Sequence, residues 1–159
     1  MFLVESPQYP YGFDAKNWNG FFNLTMTYRQ DSDIFTPYGS VTQMKALPDD
    51  LEVAVAEFGL SKAHMISSKE PRAAWFVSHC DTESQREHFV KELERFYPVD
   101  KYGKCGNLSC SRNKEEDCWK MVESKYKYYL SFENSICTDY VTEKLFNALE
   151  VVSHFLLPK

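Results

Sequence analysis

The second half of the chain alternates between apolar runs and longer segments whose apolar residues recur at helical spacing. AAWFVSHC is a continuous apolar run, which is typical of a strand buried on both faces. The next segment, DTESQREHFVKELERFYP, places Phe89, Leu93 and Phe96 at helical spacing before a terminating proline. This part of the sequence therefore predicts a buried strand followed by a helix.

The same alternation then occurs twice more. VDKYG has the pattern of a short strand, and it precedes a Cys-rich loop and a helix predicted over 115–124. KYYLSF predicts another strand, and TDYVTEKLFNALEVV another helix. Such alternation forms a parallel sheet covered by helices, which binds ligands at the carboxyl ends of its strands. We therefore expect an α/β, Rossmann-like fold with its site at the strand-to-helix junctions.

The first part of the chain is less regular. Residues 1–48 are rich in Pro, Gly, Asn and Tyr, with a short β-prone piece over 21–28 and a turn at TPYG. LPDDLEVAVAEFGL predicts a short helix that begins near Asp49 or Asp50. SSKEPR has the composition of a connector, so the regular α/β pattern begins after it.

Composition and charge exclude several classes of protein. An apolar content of 43% with 16% aromatic residues indicates a folded chain. The formal net charge of −5 argues against a protein that coats nucleic acid. The apolar runs are too short to span a membrane, and MFLVESPQYPYG lacks the features of a signal peptide.

The cysteines and two glycosylation sequons favour the secretory lumen. The sequons begin at Asn23 and Asn107. Of the five cysteines, Cys105, Cys110 and Cys118 cluster without a nearby histidine and without the two-residue gaps of a zinc knuckle. We expect local disulfides in this cluster, and the odd count leaves one thiol over.

The stretch SFENSICTDYVTEKLFNAL is a strand-to-helix junction with a polar face. With Asp139 as the N-cap, Tyr140, Glu143 and Lys144 would share one face of the helix. Free backbone N–H groups at a helix N-terminus favour an anion, Lys144 suits phosphate oxygens, and Glu143 can accept bonds from sugar hydroxyls. The alternative is an ordinary solvated helix face.

Two further charged features lie elsewhere. Arg86, at the start of the first helix, could add a second positive charge for a diphosphate, or could be a solvated helix arginine. Asp31 and Asp33 form a DSD pair of the kind that can hold a divalent metal, but they precede the parallel repeat. We expect a structural or acceptor-side role for the pair.

Several motifs together resemble the α-1,3-fucosyltransferases, glycosyltransferase family 10. They are FNLTMTYRQDSDIFTPYG, WFVSHC, QREHF, VDKYGKCG and YKYYLSFENSICTDYVTEKLFNAL. The resemblance runs from about Glu5 to Leu149, and its FENS and DYVTEK blocks are specific to that family. The spacing of the cysteines after GKCG is most similar to the invertebrate members.

The resemblance implies a two-domain, double-Rossmann glycosyltransferase of the GT-B type, anchored in the Golgi membrane with a lumenal catalytic region. Residues 1–68 would be the C-terminal remnant of the acceptor domain and a linker, and 69–159 an incomplete GDP-fucose-binding domain. Such enzymes transfer fucose from GDP-fucose to an N-acetylglucosamine hydroxyl of a glycoprotein glycan, with inversion.

The resemblance also implies roles for particular residues. Glu5, in a Glu-Ser-Pro motif, matches the general base. The donor-binding positions are Arg86, Asn134, Tyr140, Glu143 and Lys144. Family members need no obligatory metal, so a divalent cation would at most stimulate the reaction.

The resemblance further implies that most of the acceptor domain, the membrane anchor and the final parallel strands lie outside this sequence. We therefore expect an uncovered sheet edge and no activity from the 159-residue chain alone. The alternative function is a non-catalytic module, a truncated isoform that only binds GDP or a protein partner.

Overall fold

The computed structural model describes residues 2–4, 7, 15–41, 68–110, 115–151 and 155–156. Its N-terminal part contains a small parallel sheet with strand order β1-β2-β3. The strands are β1 (Phe2–Val4), β2 (Thr25–Thr27) and β3 (Ile34–Phe35), and a 3₁₀ turn at Ala15–Trp18 lies between the first two.

The larger sheet contains the remaining strands, all parallel, in the order β5-β4-β6-β7. They are β4 (Glu70–Phe76), β5 (Val99–Tyr102), β6 (Tyr126–Leu130) and β7 (Phe155–Leu156). The helices α1 (Arg86–Leu93), α2 (Glu115–Lys125) and α3 (Glu143–Val151) each follow one strand and precede the next. The predicted α/β fold with a parallel sheet and flanking helices is confirmed.

Side chains alternate across β4, so both faces of the central strand are buried. On one face Ala74 packs in a cluster with Tyr126 and with Val122 of α2. On the other face Ala73 and Trp75 pack with Val90 of α1 and with residues of β6. Each face of the sheet thus carries its own hydrophobic cluster under a helix, because alternate residues of a strand point to opposite sides.

A short strand near the end of the sequence pairs with β6. Phe155–Leu156 pairs in parallel with β6, in register Tyr129↔Phe155 and Leu130↔Leu156. Among the described strands β7 is thus the last on this side of the sheet, and the expectation of an uncovered sheet edge stays a prediction.

Two expectations are not addressed by this architecture. The helix predicted near Asp49 or Asp50 lies outside the described residues, and the domain boundary after residue 68 stays a prediction. Within the described ranges, every helix is too short or too polar to cross a lipid bilayer.

Candidate active site

A cleft of about 310 Å³ opens at the carboxyl edge of the larger sheet. It lies where β4 and β5 end, and the first residues of α3 form its polar side. Its size is that of a small-molecule site. The cleft thus occupies the position at which parallel sheets bind ligands, as the alternation of strands and helices predicts.

One wall of the cleft is aromatic. Trp119 of α2 contacts Tyr129 of β6 with ring centroids 5.1 Å apart, and Phe76 lies 5.2 Å from Trp119. Burial raises the pKa of the Tyr129 hydroxyl well above its ordinary value, so this wall stays neutral. Flat, uncharged rings of this kind suit the face of a nucleobase. Sequence reasoning missed the wall, although the aromatic residues of KYYLSF were its signal.

A glycine permits the close approach of the two strand ends that border the cleft. Gly103 follows β5 with φ +107°, in the left-handed region. A Cβ atom there would lie 2.6 Å from the carbonyl oxygen of Val77 and 2.7 Å from Oγ of Ser78. Glycine is therefore required both by the backbone angle and by the space available.

The polar side of the cleft contains Glu143 and Lys144, two of the predicted donor-binding residues. The Lys144 ammonium donates to Oε1 of Glu143 at 3.0 Å and to Oγ1 of Thr142 at 2.7 Å. It also pairs with Oε2 of Glu133 at 3.1 Å. Burial raises the pKa of Glu143, but Lys144 and hydrogen bonds outweigh it and bring that pKa below its ordinary value. Glu143 is therefore charged near neutral pH.

The start of α3 differs from the prediction in two ways. The helix begins at Glu143, and Asp139 is not its N-cap but a left-handed residue with φ 62°. The N–H groups are also not free: that of Thr142 donates to Oε1 of Glu133 at 2.8 Å, and that of Lys144 to Oγ1 of Thr142 at 3.4 Å. Positive charge for an anion in the cleft therefore comes from the Lys144 side chain.

Tyr140 does not share a helix face with Glu143 and Lys144, because it precedes α3. Its ring packs on Tyr28 with centroids 4.9 Å apart and meets Tyr38 edge-on at 6.4 Å. It is 7% exposed. The structure thus brings Tyr140 to the contact between the N-terminal segment and the loop after β6.

Arg86 lies beneath the strand ends, 6% exposed, instead of on a solvated helix face. Its guanidinium donates to the carbonyl oxygen of Phe132 at 2.6 Å and to that of His79 at 3.2 Å. Burial lowers its pKa from the ordinary value. Arg86 therefore joins the loop after β4 to the end of β6, and its contact with a phosphate stays a prediction.

Asn134 and the two sequon residues do not line the cleft. Asn134 follows β6, and its backbone carbonyl accepts the N–H of Ser84 at 3.3 Å. Asn23 and Asn107, the two sequon residues, are exposed. Glu5, the predicted base, lies outside the described residues.

The aspartates of the DSD pair have separate partners within the chain. Asp31 accepts from Nε of Arg29 at 2.7 Å, while Asp33 accepts from the N–H of Thr25 at 2.8 Å and from its hydroxyl at 2.9 Å. Among the described residues no group of three or more His, Cys, Asp or Glu side chains is arranged to hold a metal ion. Both carboxylates stabilise the turn between β2 and β3.

All three cysteines of the predicted cluster form disulfides, but only one bridge is local. Cys110 bonds Cys118 across 8 positions, whereas Cys105 bonds Cys80, which is 25 positions away. The expectation of pairing within the cluster is wrong for Cys105, because the parallel sheet brings the loops after β4 and β5 together. Cys137 is the free, exposed thiol.

Two family models match the sequence. The model described as "Glycosyltransferase family 10 (fucosyltransferase) C-term" matches residues 66–154, and "Fucosyltransferase, N-terminal" matches residues 1–39. The chain belongs to glycosyltransferase family 10. The C-terminal model matches three strands of the larger sheet, β4, β5 and β6, together with all three helices.

Curated relatives agree with this assignment. The chain is 48% identical over 139 residues to α-(1,3)-fucosyltransferase C of Drosophila melanogaster, which covers 82% of this chain and 32% of that protein. It is 40% identical to α-(1,3)-fucosyltransferase fut-1 of Caenorhabditis elegans, over 80% of this chain and 28% of the relative. It is 39% identical to glycoprotein 3-α-L-fucosyltransferase A of Drosophila melanogaster, over 86% of this chain and 24% of that protein. The chain thus spans a third or less of the length of these relatives.

Proposed function

We propose that the full-length protein is an inverting α-1,3-fucosyltransferase. It transfers fucose from GDP-fucose to an N-acetylglucosamine hydroxyl of a glycoprotein glycan. One observation carries the proposal: Glu143 and Lys144 face an aromatic wall in a cleft at the carboxyl edge of the sheet. Membership of a fucosyltransferase family supports the choice of sugar.

The cleft offers a suitable partner for each part of the donor. The half-buried rings of Phe76 and Trp119, which line the cleft, suit stacking by guanine. Lys144 can exchange its exposed partner Glu143 for a diphosphate oxygen, and Glu143 can then accept bonds from sugar hydroxyls. The further donor-binding residues in this proposal are Arg86, Asn134 and Tyr140.

The transfer step needs a base and stabilisation of the leaving group. Glu5 removes the proton of the acceptor hydroxyl as its oxygen attacks the anomeric carbon in line, so the configuration inverts. The C1–O bond to GDP breaks, and the negative charge that develops on the diphosphate is stabilised by Lys144. No metal is obligatory in this scheme, and a divalent cation would at most stimulate the reaction.

The proposal includes the wider organisation of the protein. It has a GT-B architecture in which residues 1–68 belong to the acceptor domain and linker, and 69–159 to the GDP-fucose domain. It resides in the Golgi membrane with its catalytic region in the lumen. The disulfides Cys80–Cys105 and Cys110–Cys118 support an oxidising compartment.

A transfer assay tests the proposal. The full-length protein is incubated with an N-acetylglucosamine-containing N-glycan and, in turn, GDP-fucose, GDP-mannose and UDP-galactose. We expect product only with GDP-fucose, carrying fucose in α-1,3 linkage by NMR. Transfer from another sugar nucleotide, and none from GDP-fucose, would contradict the proposed donor.

Single substitutions test the assigned roles. Lys144→Ala should weaken GDP binding about tenfold, the range of one charge-assisted hydrogen bond. Lys120→Ala is the matched control, since Lys120 is 64% exposed and pairs with Glu116 on the surface of α2. Glu5→Gln should lower turnover and keep donor affinity; unchanged turnover would exclude Glu5 as the base.

The alternative of a non-catalytic GDP-binding module is not favoured. The relatives that match most of this chain are named as fucosyltransferases. The module would be supported instead if the full-length protein bound GDP but transferred no sugar from any donor.

A further inference from the structure

Glu133, in the loop after β6, has a carboxylate whose two oxygens both have partners. Its Oε1 accepts the backbone N–H of Thr142 at 2.8 Å, and the Thr142 hydroxyl lies 2.8 Å and 2.9 Å from its two oxygens. Its Oε2 pairs with the ammonium of Lys144 at 3.1 Å. The Thr142 hydroxyl accepts in turn from that ammonium at 2.7 Å. Glu133, Thr142 and Lys144 therefore form a closed ring of hydrogen bonds.

The ring rests on a rigid base. Thr142 is 1% exposed. The backbone carbonyl of Glu133 accepts the hydroxyl of Ser84 at 2.8 Å, and the preceding carbonyl, that of Phe132, accepts from Arg86 at 2.6 Å. Glu133 is thus held at its backbone and, through Thr142, at its carboxylate.

The two carboxylates that contact Lys144 differ in how easily they can be replaced. The Glu143 side chain is 54% exposed, whereas that of Glu133 is 18% exposed. A solvent-exposed ion pair contributes little free energy, so an incoming phosphate can displace Glu143. Glu133 has Thr142 as a further partner, so its contact with Lys144 persists.

We propose that Glu133, both directly and through Thr142, is a positioning residue that holds the Lys144 ammonium at the cleft for the diphosphate of a nucleotide. This inference rests on the proposed function, since it assigns a second residue to the same anion site. A free lysine side chain loses much rotamer entropy when it binds a phosphate. The ring orders Lys144 in advance and so lowers that cost.

Glu133 does not cancel the attraction for a phosphate. Its negative charge lies at the N-terminus of α3, where it accepts a backbone N–H and faces the positive end of the helix dipole. Removing its charge should therefore weaken phosphate binding through loss of order. The opposite result, tighter binding, is expected if Glu133 merely competes with the ligand.

The test compares GDP with guanosine by calorimetry in the purified protein. In Glu133→Gln the dissociation constant for GDP should rise about five- to tenfold, the range of one charge-assisted hydrogen bond, while that for guanosine stays constant. Thr142→Val should act like Glu133→Gln, and Thr142→Ser, which keeps the hydroxyl, should recover most of the affinity. Glu116→Gln, which removes an exposed carboxylate from α2, is the control.

A second measurement needs no nucleotide. Acylation of the Lys144 amine, followed by peptide mass spectrometry, should be faster in Glu133→Gln and Thr142→Val than in the unaltered protein and Thr142→Ser. Equal acylation rates overturn the inference, as do tighter GDP binding by Glu133→Gln or an equal loss of GDP and guanosine affinity. If the unaltered protein binds no GDP, the proposed function fails, and the acylation rates still decide whether Glu133 holds Lys144.

Discussion

The carboxylate of Asp139 accepts the backbone N–H of Gln30 at 3.1 Å, although the two residues are 109 positions apart. Asp139 has φ 62°, a conformation that a non-glycine residue adopts at a cost. Beside this bond, the tilted rings of Tyr28 and Tyr140 pack with centroids 4.9 Å apart. The turn after β2 is thereby fixed to the loop that leads into α3 and the cleft.

Replacement of Asp139 should loosen this contact locally. Asp139→Ala removes the acceptor and keeps the unfavourable backbone angle, so we expect a loss of about 1–3 kcal/mol of stability. Hydrogen exchange of the Gln30 amide should accelerate with it. Asp139→Asn is the matched control, because asparagine tolerates the left-handed region and keeps one acceptor oxygen. Unchanged exchange at Gln30 in Asp139→Ala would show that the bond does not hold the turn.

Arg86 should be essential for stability. Arg86→Met leaves the carbonyl oxygens of Phe132 and His79 without their donor, which should cost about 2–4 kcal/mol in urea unfolding. Arg86→Lys should cost less, since one ammonium can reach one of the two carbonyls. The control is Arg95→Met: that arginine is 68% exposed, and its ion pair with Glu92 should contribute less than about 0.5 kcal/mol. Equal effects of the two methionine variants would contradict the bridging role.

The two disulfides should differ in their contribution to the free energy of unfolding. Chain-entropy arguments assign about 3.5 kcal/mol to a loop of 25 residues and about 2.5 kcal/mol to one of 8. The variant Cys80→Ala/Cys105→Ala should therefore unfold at lower urea than Cys110→Ala/Cys118→Ala. It should also separate the loops after β4 and β5 at the edge of the cleft. If the Cys110→Ala/Cys118→Ala variant unfolded at lower urea instead, the expectation that the longer loop gives the larger stabilisation would be wrong.

Acid should destabilise the protein partly through Asp100. Burial raises the pKa of this carboxyl, but hydrogen bonds from Tyr126 and Arg72 outweigh it, so its pKa lies below the ordinary value of 3.8. The unfolded chain therefore binds a proton before the folded protein does, and stability falls as the pH falls through this region. At pH values above the ordinary pKa of an aspartate, Asp100 makes its full contribution to the stability of the fold.

Asp100→Asn tests this pH dependence. The variant should lose about 1–2 kcal/mol at neutral pH and show a shallower decline of stability between about pH 5 and pH 3. Urea unfolding at several pH values measures both effects. Asp117→Asn, at an exposed position of α2, is the control. A decline as steep as that of the unaltered protein would show that Asp100 is not responsible.

The strands and helices of the larger sheet were predictable because their signals are local. The run AAWFV has apolar residues at every position, and both faces of β4 are indeed buried. The spacing of Phe89 and Leu93 predicts α1 in the correct place. Polar junction residues follow the strands, so their location at the carboxyl edge was predictable as well.

The start of α3 was misplaced for a reason that the local pattern does not contain. Asp139 has the composition of an N-cap, but its carboxylate bonds to Gln30, and Thr142 precedes the helix instead. The true partner of the helix start, Glu133, lies nine positions earlier in the sequence. Its role depends on the path of the loop between β6 and α3.

Short windows of this sequence thus specify which segments become strands and helices, because the burial pattern of side chains repeats every two or 3.6 residues. The partners of the charged groups come from the assembled sheet. The sequence around Arg86 is typical of a solvated helix face, yet its side chain is buried and donates to the carbonyl oxygen of Phe132. Lys144 likewise pairs with Glu133, eleven positions earlier. These contacts join residues from different strand ends, and a charge has no sequence periodicity that would reveal which loop it meets.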